Sequence, residues 1–310
     1  MELIRGLHNL RARHKECVIT IGAFDGVHHG HRAVLQQLID KGKELGLPTV
    51  VVVFEPLPRE FFAPKQAPAR ILSFREKFRA LEALGIDRVL RIPFTSTFSK
   101  MDAKAFIRKV IVEGLAAKYI IVGDDLHFGR DRSGNFDMLK QEGEQDGFDV
   151  VPTSTLAIRD ERVSSTRIRQ ALEASDFSLV QELLGRPFSI SGRVIIGQQL
   201  GRQLGTPTAN LQLHRLRAPL SGVYAVEVKM DGNKVGGVAN VGTRPTVDDS
   251  LKAILEVHLL DFEQDIYGKN IEVIFRKKIR DEQKFDSIEL LKQQIHQDIA
   301  IGREYLAQAE

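Results

Sequence analysis

Gly22-Ala23-Phe24-Asp25-Gly26-Val27-His28-His29-Gly30-His31 is the stretch that decides the fold of the first half of this chain. An apolar run, Cys17 to Ile21, leads into it. An amphipathic run, Arg32 to Leu45, leads out, with Ala33, Val34, Leu38, Ile39 and Leu45 near helical spacing. The stretch is therefore a strand-to-helix turn. Its glycines, Gly22, Gly26 and Gly30, let backbone approach a ligand closely. A helix N-terminus offers free N–H groups and a positive dipole end, which suit phosphate. His28 and His31 are three residues apart, so both imidazoles can face one site there. A glycine-rich turn with surface histidines is the plainer alternative, and three histidines within four positions weigh against it. No Gly-Lys-Ser/Thr follows, so the turn is not a P-loop.

Working outward, strand and helix patterns alternate. Thr49 to Phe54 reads as a buried parallel strand and ends in Glu55-Pro56-Leu57-Pro58. Ser73 and Glu76 form a capping box for a helix to Gly85, and Arg88 to Ile92 is a strand. Asp102 caps a helix to Gly114, and Lys118 to Val122 is a strand before Gly123-Asp124-Asp125-Leu126-His127-Phe128-Gly129. A helix at Phe136 to Glu144 and a strand at Phe148 to Pro152 follow. This pattern predicts a doubly wound α/β domain, whose ligands bind beyond the strands' C-terminal ends. The turns at residues 22, 55 and 123 all lie at such ends. Further on, Ser164 or Ser165 caps a helix to Ala174, and with Arg162, Arg167 and Arg169 it makes a second anion site or a capped surface helix.

After a short helix, Asp176 to Leu184, the pattern changes. Phe188–Ile196, Gly222–Val228, Lys234–Val241, Ala253–Leu260 and Asn270–Arg276 read as short strands between glycine turns, which suggests a small antiparallel barrel. A terminal helix spans about Ser287 to Ala307. The loop Gly197 to Asn210 carries Gly197, Gly201 and Gly205, suited to wrapping phosphates, and then Thr208 and Asn210. Their oxygens are hard ligands fit for Mg²⁺ held with ATP phosphates; a long hairpin loop is the alternative. In Leu255-Glu256-Val257-His258-Leu259, period-two alternation puts Glu256 and His258 on one face. Glu256 could take a proton from a hydroxyl there, although periodicity alone favours a solvent-facing carboxylate.

Composition sets the class. The chain has 310 residues, 43% hydrophobic and 27% charged, enough for two ordinary globular domains. No apolar run approaches 20 residues, so no membrane span is expected. The first sixteen residues are charged and lack a signal-peptide core. The one cysteine, Cys17, cannot form an internal disulfide, which points to a reducing cytoplasm. The net charge of +3, from 44 basic and 41 acidic residues, argues against nucleic acid or membrane as the main partner.

The whole chain resembles the prokaryotic family of bifunctional riboflavin kinase/FMN adenylyltransferases. The His28-Xaa-Gly30-His31 pattern is similar to the HxGH signature of nucleotidylyltransferases, and Arg162-Val163-Ser164-Ser165-Thr166-Arg167-Ile168-Arg169 to their ISSTxxR motif. Further matches are FEP, VGDD with FG, LGTPTANL, GVYAVEV, GVANVGTRPTV, EVHLLDF with YG, and KFDSIELLKQQIHQDI. The resemblance implies a Rossmann-like adenylyltransferase domain, 1–185, followed by a six-stranded riboflavin kinase barrel with a C-terminal helix, 186–310. It implies that Gly22, Phe24, Asp25, His28, Gly30, His31, Asp124 or Asp125, Arg162, Ser165, Thr166 and Arg169 serve ATP in adenylyl transfer. Phe54, Pro56, Pro58 and Phe128 would contact flavin. Gly201 and Gly205 would wrap ATP in the kinase, Thr208 and Asn210 would hold Mg²⁺-ATP, and Glu256 would be the base. Riboflavin, FMN, ATP and FAD are then the small-molecule partners. Two rival readings are a single-activity adenylyltransferase whose barrel only binds flavin, and a flavin sensor or nucleic-acid binder. The presence of Glu256, Thr208 and Asn210 together argues against the first.

Overall fold

The computed structural model describes all residues except 124, 154–155, 198–204, 246–250 and 309–310. The chain divides into two compact units, residues 1–68 with 74–163, and residues 69–73 with 164–310.

The first unit is built on a six-stranded parallel sheet. Its strands are β1 (Glu2–Arg5), β2 (Val18–Ile21), β3 (Thr49–Glu55), β4 (Arg88–Pro93), β5 (Tyr119–Val122) and β6 (Asp149–Pro152). Their order across the sheet is β1-β4-β3-β2-β5-β6. Val50, Val51, Val52 and Val53 of β3 are all buried, as a strand covered on both faces requires. The helices between strands are α1 (His29–Leu45), α2 (Pro58–Phe62), α3 (Phe74–Ala83), α4 (Ser96–Ser99), α5 (Ala103–Phe106) and α6 (Phe136–Asp146). Past α5 the helix continues in the wider π form over Ile107–Leu115. Asp102 caps α5, accepting a hydrogen bond from the Ala105 N–H at 2.8 Å. The direction of strand order reverses between β2 and β5, so the crevice of this sheet opens where those two strands end. The residue-22 and residue-123 turns leave from those ends.

The edge strand β1 is absent from the sequence-based expectation. It pairs with β4 in register Glu2 to Arg88 through Arg5 to Arg91 and buries Ile4. From sequence the first sixteen residues read only as charged and without a signal-peptide core. The structure instead gathers Arg13, His14 and Arg88 on the Glu2 carboxylate, at 2.7, 3.1 and 3.9 Å. Arg13, the strongest of these partners, helps hold that carboxyl below its ordinary range.

In addition to a two-stranded ribbon, β7 (Ala157–Ile158) with β8 (Glu161–Arg162), the chain forms α7 (Ser165–Glu173) and α8 (Phe177–Leu184) before the barrel. The barrel strands are β9 (Ser189–Ile195), β10 (Ala209–Gln212), β11 (Gly222–Met230), β12 (Asn233–Pro245), β13 (Leu251–Leu259) and β14 (Asn270–Arg280). They close in the order β10-β13-β12-β11-β14-β9, all antiparallel. Five of the six were readable from the residues. The sixth, β10, is short and begins inside the segment read as a loop.

The last helix, α9 (Ile288–Gln308), packs on this barrel through close backbone approach. A Cβ at Gly302 would stand 2.6 Å from Val238 Cγ2, so only glycine fits there. The Arg280 guanidinium meets the buried Asp298 carboxylate of α9 through Nε at 3.0 Å and a terminal nitrogen at 2.8 Å. The segment 164–184 belongs with the barrel because the ring of Phe177 lies edge-on to Tyr224 at 5.9 Å and stacks over Phe275 at 6.4 Å. The short segment 69–73 is clasped in the same unit. Arg169 Nε donates to the Ala69 carbonyl at 2.6 Å, and Arg215 donates to the Ile71 carbonyl at 3.3 Å.

Candidate active sites

The first site begins at the end of β2. The turn that follows holds Phe24 and Val27 at positive φ, 47° and 43°, a left-handed conformation rare for such residues. Helix α1 starts three residues earlier than periodicity suggested, because His28 is its cap. The His28 ring Nδ1 accepts the backbone N–H of His31 at 3.2 Å. A neutral ring that accepts at Nδ1 carries its proton on Nε2, so His28 presents an N–H donor on its far side. The two imidazoles stack at 3.7 Å with 16° between their planes. Phe24 closes the column, its ring centroid 5.0 Å from that of His31. Gly30 keeps the space beneath them tight but open: a Cβ there would stand 3.2 Å from the His28 ring and 3.3 Å from the Val163 carbonyl.

Burial of the His31 ring holds its pKa well below the ordinary imidazole range, and the nearby Lys77 ammonium pushes the same way. His31 is therefore neutral at pH 7, and its Nδ1 is buried with no hydrogen-bond partner among the described residues. Lys77, buried on α3, was not singled out from sequence; no motif marks it. Asp25 is buried beside this turn.

Beyond β5, Asp125 receives Arg162 at 3.2 Å. Asp124 lies outside the described residues. The flavin candidates Phe54 and Phe128 come from different strand ends, and both reach Phe106, at 6.2 and 5.3 Å between ring centroids. Pro56 follows a cis peptide after Glu55, and Pro58 is the first residue of α2. Sequence reading missed the rest of this aromatic group. Phe94 packs against Phe54, Phe61, Phe62 and Phe98 within 6 Å, and the Phe62 ring remains 66% exposed. The Phe61-Phe62 pair after FEPLP was the available signal.

In the second unit, Ser164 caps α7 by accepting the Arg167 N–H at 3.2 Å. Ser165 is the first residue of that helix, with Thr166 and Arg169 in its first turns. On the barrel, Ala253, Leu255, Val257 and Leu259 face the core, so Glu256 and His258 lie on the outer face of β13, half-buried. Register then assembles a row across three strands: Asn210 of β10 and Asn240 of β12 both pair with Glu256. Directly opposed residues share a face. Asn210 and Glu256, 46 positions apart in sequence, thus stand side by side. A side chain at position 197 would collide with the Asn210 amide, so Gly197 makes room for it. Gly205 sits at φ 81° in open space, and Gly201 lies outside the described residues. Among the described residues no cluster of three His, Cys, Asp or Glu side chains is placed to hold a metal.

Two family models match the chain. One, described as FAD synthetase, matches residues 10–167, and one described as riboflavin kinase matches residues 184–306. A bifunctional riboflavin kinase/FMN adenylyltransferase of Pseudomonas fluorescens is 52% identical over 303 residues, covering 98% of this chain and 97% of that protein. The protein of the same description from Escherichia coli K12 is 50% identical over 307 residues, 98% of each chain. A crystal structure of a Streptococcus pneumoniae protein described as a macrolide-efflux protein superimposes with a TM-score of 0.77 at 31% identity, covering 98% of this chain and 99% of that one. No helix among the described residues is long and apolar enough to cross a membrane. With both family models in tandem and half its residues shared across nearly its whole length, this chain belongs to the bifunctional riboflavin kinase/FMN adenylyltransferase family.

Proposed function

We propose that this chain makes FAD from riboflavin in two ATP-dependent steps, with the adenylyl transfer assigned to residues 1–185 and the kinase to residues 186–310. The observation that carries the reading is the pairing of Asn210 with Glu256 on the outer face of the barrel, next to Thr208. In the kinase step the 5′-hydroxyl of riboflavin attacks the γ-phosphorus of ATP and ADP leaves. A neutral hydroxyl is a poor nucleophile, so Glu256 accepts its proton as the bond forms. The hydroxyl of Thr208 and the amide oxygen of Asn210 suit a hard divalent cation held mainly by phosphates. Enzymes of these ATP-using families take a divalent metal, and we assign Mg²⁺. When bound it would neutralise charge on the transferred phosphate.

In the second step an FMN phosphate oxygen attacks the α-phosphorus of ATP, and pyrophosphate leaves. This nucleophile is already anionic, so no base is required. Donors around the developing charge are what the step needs. The Nε2–H of His28 is such a donor, fixed in direction because Nδ1 is held by the His31 N–H. Gly22, Phe24, Asp25, Gly30 and His31 shape this cradle. Asp124 or Asp125, Arg162, Ser165, Thr166 and Arg169 are assigned to ATP in the same reaction, and Phe54, Pro56, Pro58 and Phe128 to the flavin. The buried, unpaired Cys17 supports a reducing cytoplasm as the location.

Incubating the pure protein with riboflavin, ATP and Mg²⁺ and separating the flavins tests the reading. FMN should appear first and FAD after it, and a chelator should stop both. FAD from supplied FMN with no FMN from riboflavin would reduce the barrel to a binding module.

A further inference from the structure

The segment that leads into β10 is tied to β13 by one side chain. The His258 ring Nδ1 lies 2.9 Å from the Pro207 carbonyl oxygen. A carbonyl only accepts, so Nδ1 carries the proton and donates it. His258 is two residues beyond Glu256 and on the same outer face. The register sets Asn210 against Glu256 and Ala209 against Val257, and Thr208 is the residue just before β10. The carbonyl that His258 holds is one half of the peptide bond joining Pro207 to Thr208.

Pro207 has no N–H to contribute. Gly205, two residues earlier, is at φ 81° with open space around it. Just past the end of β13, Asp261 grips Arg303 of α9 through both carboxylate oxygens, at 2.5 and 2.9 Å.

We propose that His258 is a positioning residue for the kinase step: its Nδ1–H locks the Pro207–Thr208 peptide, and through it sets the oxygens of Thr208 and Asn210 in register with Glu256. The inference rests on reading this face as the riboflavin kinase site. His258 touches no reacting atom in this scheme, and a neutral ring suffices.

The test uses the full chain, with riboflavin phosphorylation and FAD formation from FMN measured separately. Removal of one hydrogen bond to a neutral group predicts that His258→Ala raises the KM for MgATP in the kinase step roughly three- to tenfold. Its kcat should stay within about twofold. His258→Phe keeps the ring's bulk without the donor and should match the Ala variant, which covers the case where Ala does not fold. His258→Asn, whose amide N–H can reach the same carbonyl, should recover most of the loss. FAD formation from FMN should be unchanged throughout. An unchanged KM in the Ala and Phe variants, a fall in kcat with KM intact, or an Asn variant no better than Ala would each overturn the proposal. A parent protein that makes no FMN overturns the kinase reading itself, and a parent that makes FMN while its variants keep a normal KM overturns only the role of His258.

Discussion

The His28 turn and the Glu256 strand carry opposite chemistry on opposite kinds of scaffold. The turn gathers its groups within ten consecutive residues at the mouth of a parallel sheet. Its proposed part is to offer donors to charge that develops on a phosphate, with no base required. The barrel face gathers its groups by register, from strands separated by tens of residues, and sets there the carboxylate proposed to take the proton of a neutral hydroxyl. The nucleophile decides which device is needed: an anion needs only its surroundings stabilised, whereas a hydroxyl needs a proton acceptor.

This contrast breaks most sharply at Glu256. Glu256→Gln keeps the shape and cannot take the proton, so the kinase rate should fall roughly a hundred- to ten-thousand-fold. FAD formation from supplied FMN should not change. A kinase rate within about twofold of the parent would return Glu256 to the solvent-facing role that its spacing alone suggests. At the other site, oxyanion-type donors are worth about a hundred- to a thousandfold each. Replacing both His28 and His31 by Ala should therefore cut FAD formation by about a thousandfold or more while FMN formation persists. Equal loss of both activities in a folded protein would show that the two sites are not independent.

The boundary between the two regions sharpens the comparison further. Fragments 164–310 and 186–310 should both phosphorylate riboflavin. The shorter one loses Phe177 from the faces of Tyr224 and Phe275. Uncovering an aromatic of that size costs about 2 kcal/mol, so its melting temperature should be several degrees lower. Equal melting would mean that α8 is a linker rather than part of the barrel's core.

The smallest effect is on pH. Burial keeps His31 unprotonated in the folded state, whereas in the unfolded chain it titrates near 6.5. Below that pH the unfolded state binds one proton more, so stability is lost as pH falls, by at most about 1.4 kcal/mol per unit from this group. Urea midpoints at pH 7, 6 and 5 should therefore fall less steeply in His31→Asn than in the parent. Parallel slopes would mean that His31 is protonated in the fold.

What the sequence makes legible follows the same division. Glycine spacing, paired histidines and a valine run are local signals, and they place the first site and its sheet. The stacking of His28 on His31 and the use of His28 as a cap need coordinates, because they depend on backbone at positive φ around Phe24 and Val27. Strand β1 was hidden because its arginine and glutamate charges look solvated when their partners, Arg13, His14 and Arg88, are not in view. On the barrel, alternation gave the face of Glu256 but not its neighbour. Cross-strand register is a tertiary property, and β10, four residues long, carries too little pattern to announce itself. The bond from His258 to Pro207 is invisible for the same reason.

The capping of α1 by a histidine has a consequence for engineering. Serine and aspartate are far better residues for that position, and histidine is not among the preferred ones. Cap preference alone would pull position 28 toward serine, but serine would leave the space of a buried, stacked imidazole empty, so His28→Ser should melt no higher than the parent while losing FAD synthesis. The start of this helix is a place where one side chain caps the helix, fills the space beside His31 and supplies the imidazole assigned to the phosphate, so no single replacement keeps all three.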